Sequence, residues 1–426
     1  MATVLDRSAP SAKERPSIGQ LSRARRPGYM LPADFYLRQD VFEADLEALF
    51  RRQWLFVGVA ADVPEPGDAF TVDIGDASVI LVRGDDEVVR AFHNVCRHRG
   101  ARLLEPGPST VGKLVCPYHQ WTYELTGELV FARHMGKDFD PGCHSLRPVH
   151  LRAVGGFLFV CLAEEAPADI DELARVMEPR LAPYDLANTK VAFQKSIVEE
   201  GNWKLTMENN RECYHCASSH PELTSSFIAV DFGFDPDELE GEEAEEATAH
   251  LAKREAKLAE WEALGYGSRP VERLDGGDIN FRTERLLIAG AGESATLDTK
   301  VACRKLLGTI GRKELGDVHL WTHTSWHHVM SDHAVSTFVL PLSPDRTLVT
   351  SKWLVHKDAV EGVDYDLETL THVWQATNDQ DGALVARAQR GVRDPGYVPG
   401  PYSPFTERYL DLFATWYLGR LQAHGH

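Results

Sequence analysis

Apolar residues recur along this chain in short runs whose period changes from stretch to stretch. Residues 41–50 carry them at helical spacing and predict an opening helix. Strand-like segments follow at 70–74, 79–82, 88–93, 113–117 and 156–162, with Gly, Pro, Asp and Asn between them. Strands this short and this regularly punctuated predict an antiparallel β unit over about 40–165. A polar helical stretch at 170–177 opens a second region, and 235–264 is an acidic, then mixed-charge block. Within it, 242–264 has helix-favouring Glu, Lys and Ala and ends at Gly265, which predicts a solvated helical insertion. Strand-like runs at 319–329, 334–340 and 347–356 predict an antiparallel meander, and 367–392 and 406–421 are expected to be helical. The expected class is α+β, divided into a flexible N-terminal arm (1–38), a first domain (39–165) and a second (166–426).

Composition narrows the functions. With 45 Lys and Arg against 64 Asp and Glu, the net charge is −19, which disfavours binding to nucleic-acid phosphates. The longest apolar run, near 157–163, is about half of what a membrane span needs. Seven cysteines, an odd number in a long chain, argue against a secreted disulfide scaffold. The first 28 residues hold no apolar signal core, so a cytoplasmic location is expected.

The most specific chemistry is Cys96-Arg97-His98 followed, after 17 intervening residues, by Cys116-Pro117-Tyr118-His119. Two thiolates and two imidazoles can hold zinc, or a two-iron, two-sulfur cluster with the cysteines on one iron and the histidines on the other. The C-x-H spacing is too tight for the usual zinc knuckle and favours the cluster. The runs from Phe92 to Gly100 and from Cys116 to Trp121 resemble the Rieske domain of aromatic-ring-hydroxylating-type oxygenase α subunits, and the resemblance extends over nearly the whole chain beyond the N-terminal arm. It implies Cys96 and Cys116 on one iron and His98 and His119 on the other.

A second cluster runs from Glu208 to Pro221 and contains His215 and His220. On an ideal helix, positions five apart diverge by about 140°, so the pair can share a metal only if the helix ends between them. Ala217-Ser218-Ser219 before Pro221 is a plausible break. A facial triad for non-haem iron needs a carboxylate as well. The resemblance places it near residue 380, with Asp381 the candidate and Asp379 its rival. It also implies that Glu212 bridges the mononuclear iron to a Rieske histidine of the neighbouring subunit. The pattern Glu208-Asn209-x-x-Glu212-Cys213-Tyr214-His215-Cys216 resembles the branch acting on quaternary ammonium compounds.

Two weaker motifs compete. Cys213-x-x-Cys216 has thioredoxin-type spacing but no βαβ context, so packing near the iron is the expected role. Gly290-x-Gly292-x-x-Ala295 matches a dinucleotide fingerprint, yet an antiparallel meander follows it. No flavin or NAD is therefore expected on this chain, and electrons should come from a separate NAD(P)H-dependent flavin/iron–sulfur reductase. Read as one continuous strand, 319–329 places His319, Trp321, His323, Ser325 and His327 on one face and Leu320, Thr322, Thr324, Trp326 and His328 on the other. A quaternary ammonium must be held by aromatic faces. Tyr214, Phe281, Trp321, Trp326, Phe338 and Trp353 are the candidates for that cage, although each can equally be core.

Taken together, the resemblance implies an N-terminal Rieske antiparallel β domain, a helix-grip-like catalytic domain and a head-to-tail homotrimer. The implied reaction uses O2 to hydroxylate an N-methyl group, as in glycine betaine to dimethylglycine plus formaldehyde. Carnitine, proline betaine, choline or an aromatic acid are alternative substrates. An electron carrier without oxygenase activity and a zinc-stabilised binding module are the alternatives from other classes.

Overall fold

The computed structural model describes residues 15–274 and 276–426. The first domain is a seven-stranded antiparallel sheet in the order Leu55–Val59, Phe157–Cys161, Pro148–Val154, Val89–His93, Ala77–Arg83, Asp68–Ile74, Gly107–Thr110. Chain-distant strands 55–59 and 157–161 pair, so the domain closes on itself. A separate three-stranded sheet of Leu114–Val115, Thr122–Tyr123 and Leu129–Phe131 carries the second Cys-x-x-His loop.

The second domain is built on another seven-stranded antiparallel sheet, ordered Thr189–Glu199, Arg346–His356, His333–Ser343, Ser325–Val329, Asp317–Trp321, Phe281–Leu286, Val271–Arg273. The helix Leu367–Val392 lies along it, anchored where Asn378 Nδ2 donates to Ser351 Oγ at 3.0 Å and Gln389 Oε1 accepts from the Asn202 amide at 2.8 Å. Its buried positions Leu370, Val373, Trp374, Thr377, Asn378 and Val385 fall at spacings of three, four and seven, the period of one helix face.

Three expectations need correction. Part of the expected flexible arm, 1–14, lies outside the described residues, but from residue 15 the chain is structured. Ser17 and Gln20 form a capping box on helix Ile18–Ala24, and Phe35 and Tyr36 are buried. Tyr36 Oη donates to Glu208, and Arg25 pairs with Asp411 of the last helix, Arg408–Ala423. These tertiary partners, not local composition, order the segment. Second, 319–329 is not one strand. It is a hairpin turning at 322–324, where the Thr322 amide donates to Ser325 O at 2.8 Å and the two hydroxyls meet at 2.6 Å. The expected division of its side chains between two faces is therefore wrong: His319 stands opposite His328, and Trp321 opposite Trp326. Third, the charged helix Gly241–Ala263 is not wholly solvated, because Leu258 and Trp261 are buried and Arg254 pairs with Glu284 at 3.0 Å.

Candidate metal centres

The first centre lies at the tips of two similar loops. In each, the cysteine amide donates to the carbonyl five residues on (Cys96 to Ala101, Cys116 to Trp121, both 2.8 Å). The cysteine carbonyl accepts from the residue four on, Gly100 or Gln120, at 3.0 Å. Both of those residues have positive φ, +77° and +61°, which reverses the chain and brings each histidine beside its cysteine. The thiols of Cys96 and Cys116 are buried, whereas His98 is exposed and His119 half-buried. The His98 and His119 rings lie 4.6 Å apart, and His98 stacks on Trp121. His119 Nδ1 is buried with no hydrogen-bond partner, as an atom reserved for a metal would be. This set of two sulfurs and two nitrogens fits a two-iron, two-sulfur cluster.

The second centre forms where the segment after helix Trp203–Asn210 meets helix Leu367–Val392. His215 caps the N-terminus of a single turn, Cys216–Ser219, and His220 ends it with φ −127° and ψ 69°. Pro221 disfavours helical backbone at the residue before it, so the turn stops there. That break folds the two imidazoles together: His215 Nε2 and His220 Nε2 are 3.0 Å apart. Asp381 Oδ1 completes the triangle at 3.3 Å and 2.9 Å from them. Ligand atoms on metal bonds of about 2.1 Å set at right angles would be about 3.0 Å apart, so the three fit one face of an octahedral ion. The other nitrogens are held from behind, His215 Nδ1 by Glu212 at 2.5 Å and His220 Nδ1 by Gln380 at 2.8 Å. Gln380 is itself fixed by Glu222 at 2.7 Å. Burial lowers the pKa of His215, but its bonds to Asp381 and Glu212 win and bring it up to about 9. Burial raises that of Asp381, yet the two imidazoles hold it below the ordinary carboxylate range. Such acid-rich surroundings suit a divalent cation. Asp379 turns away, to Lys195 Nζ at 2.9 Å.

The triad opens on a small cavity with about 60 Å³ available to the centres of water molecules. Among the predicted cage residues, Trp321 and Trp326 line it. The other four do not. Tyr214 is 69% exposed, Phe281 is in the sheet core, Phe338 packs on Phe56, and Trp353 packs on Phe193. The wall instead includes Phe227, Phe232, Trp374, His319 and His328. Trp374 was legible as a site residue, since it lies seven positions before Asp381 and so on the same helix face. Cys213 and Cys216, expected only to pack, are joined by a disulfide bond that staples the loop around Tyr214 and His215. Cys216 Sγ lies within 4.8 Å of the ligand atoms of His215 and His220, and the bond to Cys213 occupies it. The Gly290 motif lies in an irregular loop, where the Ala291 amide donates to Thr299 Oγ1 at 2.7 Å.

Both centres belong to one kind of protein. Residues 53–147 match the Rieske [2Fe-2S] domain and residues 186–423 the catalytic domain of the ring hydroxylating alpha subunit. The chain therefore belongs to the family of Rieske-type ring-hydroxylating oxygenase α subunits. Within that family it is 45% identical, over 97% of its length and 92% of the relative's, to a glycine betaine monooxygenase oxygenase subunit of Chromohalobacter salexigens. It is 41% identical to the corresponding subunit of Pseudomonas aeruginosa, over 99% of this chain and 96% of the relative. Its fold is similar to that of the quaternary ammonium Rieske monooxygenase CntA, with a TM-score of 0.70 at 22% identity, covering 96% of this chain and 99% of the other.

Proposed function

We propose that this chain is the oxygenase component of a two-component monooxygenase. In this reading a separate NAD(P)H-dependent flavin/iron–sulfur reductase supplies electrons. The substrate is a small quaternary ammonium compound, glycine betaine, which is converted with O2 to dimethylglycine and formaldehyde. One observation carries the substrate class. Among the described residues, the cavity beside the triad has an aromatic wall and two carboxylates, Glu212 and Asp381, but no Lys or Arg. A methylated ammonium has no N–H to donate, so aromatic faces and negative charge are what recognise it. The near full-length likeness to two glycine betaine monooxygenase subunits supports the same choice.

Cys96, Cys116, His98 and His119 would hold the cluster, and His215, His220 and Asp381 the iron. When both are bound, they supply single electrons and O2 activation for insertion of oxygen into an N-methyl C–H bond, and the carbinolamine so formed collapses to formaldehyde and the demethylated amine. The chain's own residues set the geometry. By accepting from Nδ1, Glu212 and Gln380 leave Nε2 of each imidazole free to face the metal. Trp321, Trp326, Trp374 and Phe227 exclude water and offer ring faces to the trimethylammonium group.

Glu212 and His215 also line an outer groove of about 300 Å³ with Met30, Glu208 and Tyr402, to which the Rieske loops contribute nothing. Around the exposed His98 edge, Val95, Val115 and Tyr118 are exposed at 43%, 40% and 55%. A homotrimer in which those tips enter the neighbour's groove pairs the two surfaces and makes Glu212 the electron bridge. Domain limits of 39–165 and 166–426 enclose the two matched regions. No described helix is long and apolar enough to cross a membrane, and the cytoplasm, where NAD(P)H is available, is the proposed compartment.

Oxygen uptake and formaldehyde should be measured together on iron-loaded protein with NADH and a flavin/iron–sulfur reductase. Stoichiometric formaldehyde from glycine betaine is the expected result. Uptake without formaldehyde would discard N-demethylation. Iron content separates the enzyme, with about three irons per chain, from a pure electron carrier with about two.

A further inference from the structure

A zwitterionic substrate has a second end. If glycine betaine presents its trimethylammonium group to the aromatic wall, its carboxylate must also be met inside the cavity. No Lys or Arg among the described residues lines that cavity. The nearest guanidinium by sequence, Arg211, is fully buried, sits 4.5 Å over the Phe413 ring and donates to Thr322 O at 2.7 Å. Apart from the triad, the lining groups able to carry positive charge are His319 and His328.

These two imidazoles are cross-strand partners, stacked 4.6 Å apart with planes 17° from parallel. His328 Nδ1 meets Asp317 Oδ2 at 2.6 Å, while Asp317 Oδ1 accepts the Val329 amide at 2.8 Å. Asp317 is fully buried and held at both oxygens, so it cannot swing away. A carboxylate only accepts, so Nδ1 carries a proton, and Nε2 is the working atom, a donor once it too is protonated. Among the described residues, nothing hydrogen-bonds His328 Nε2 or either nitrogen of His319, and both residues line the cavity. The Trp374 ring lies 4.0 Å from that of His328, a face that favours an imidazolium. Burial and the neighbouring His328 push the His319 pKa well down, and of the two rings it is His328 that a buried carboxylate, Asp317, backs.

We infer that His328, oriented by Asp317 and flanked by His319 and Trp374, is the substrate-carboxylate anchor and so selects zwitterionic betaines over plain quaternary ammonium cations. The inference rests on the proposed function. Its logic is an Asp–His–carboxylate relay of hydrogen bonds: the buried acid fixes the ring, and the far nitrogen, protonated in the imidazolium that the two carboxylates favour, donates to the substrate. No proton needs to leave the site for this role.

The test compares His328→Gln and Asp317→Asn with wild type as iron-loaded holoenzyme with reductase. Glycine betaine and its methyl ester serve as probes, since they share the cation and differ in the anion. The ester is scored as substrate or as competitive inhibitor. For H328Q, KM for the acid should rise about tenfold to a hundredfold, as for loss of a charge-assisted hydrogen bond, with kcat within about threefold. Its constant for the ester should stay within about threefold. D317N should move the same way but less. Parallel shifts for acid and ester, or a fall in kcat at constant KM, would overturn the anchor while leaving the proposed function intact. A wild-type enzyme that demethylates neither probe would overturn both. Unchanged cluster absorbance and iron content in the variants separate loss of the anchor from loss of folding.

Discussion

Asp45 is the point where three distant segments are tied together, and its replacement by Asn should loosen the iron site from about one helix length away. It is fully buried, as are Lys204, Trp203 and Tyr417 around it. Its Oδ2 accepts from Lys204 Nζ at 2.5 Å and from Trp203 Nε1 at 2.9 Å, and its Oδ1 from Tyr417 Oη at 2.6 Å. Burial lowers the pKa of Lys204, and Asp45 is the first of the two acids opposing that effect. An amide at this position keeps an acceptor for Trp203 or Tyr417 but removes the charge that balances Lys204. Breaking a fully buried pair while leaving one ion behind costs about 3–5 kcal/mol, a large share of a typical stability of about 5–15 kcal/mol. The affected helix, Trp203–Asn210, runs directly into Glu212 and His215. D45N should therefore show a lower urea midpoint and reduced mononuclear iron, with the cluster absorbance unchanged. Replacing both members, D45N with Lys204→Met, should recover most of the loss, because an apolar stem no longer needs a counter-charge. A wild-type midpoint for D45N, or a double variant as weak as the single one, would refute the reasoning.

Three further outcomes follow from the same geometry. Glu212→Gln should keep both metal contents and the reductase-driven reduction of the cluster, while product formation in a single turnover falls about a hundredfold; rapid-mixing spectroscopy at the cluster band separates the two steps. Trp374→Ala should raise KM for glycine betaine about tenfold by removing one cation-binding face, measured from initial formaldehyde rates. Glu208 carries a pH dependence: burial pushes its pKa up from 4.5 to about 7, against the pull of its Tyr36 hydrogen bond and of Lys204. Between those values the native state holds a proton that the unfolded chain has released, so stability falls by about 3 kcal/mol as pH rises through the window. Glu208→Gln should flatten that slope in urea unfolding at a series of pH values, leaving the share from Glu199, likewise pushed up to about 7.

The first domain was legible because its chemistry is local. Cys96 and His98, like Cys116 and His119, lie within one loop, and the short strands between turn residues are separated by the punctuation that ends them. The N-terminal segment was not legible for the opposite reason. Its order depends on Tyr36 reaching Glu208 and Arg25 reaching Asp411, contacts separated by 172 and 386 positions. The hairpin at 322–324 hid for a third reason. It contains no Gly, Pro, Asn or Asp, and its reversal is held by the Thr322 and Ser325 hydroxyls, so the run looks like one long strand.

That single turn decides the character of the cavity beside the triad. In a continuous strand, His319 and His328 would point to opposite faces, and so would Trp321 and Trp326. The reversal makes each pair direct cross-strand neighbours, which is how both histidines and both tryptophans come to line one wall. The meeting of His215 and His220 could be foreseen because the break before Pro221 is written in adjacent residues. The helix face shared by Trp374 and Asp381 could be counted from spacing alone. Of the aromatic wall, Trp321 and Trp326 could be named singly but their pairing could not, because it is a product of register: a slip of one residue of 325–329 against 317–321 would turn His328 and Trp326 away from the cavity and leave the triad untouched. If the triad holds the iron and the wall the substrate, metal binding and substrate choice are encoded at different ranges in this chain, and substitutions in the hairpin should alter the second without the first.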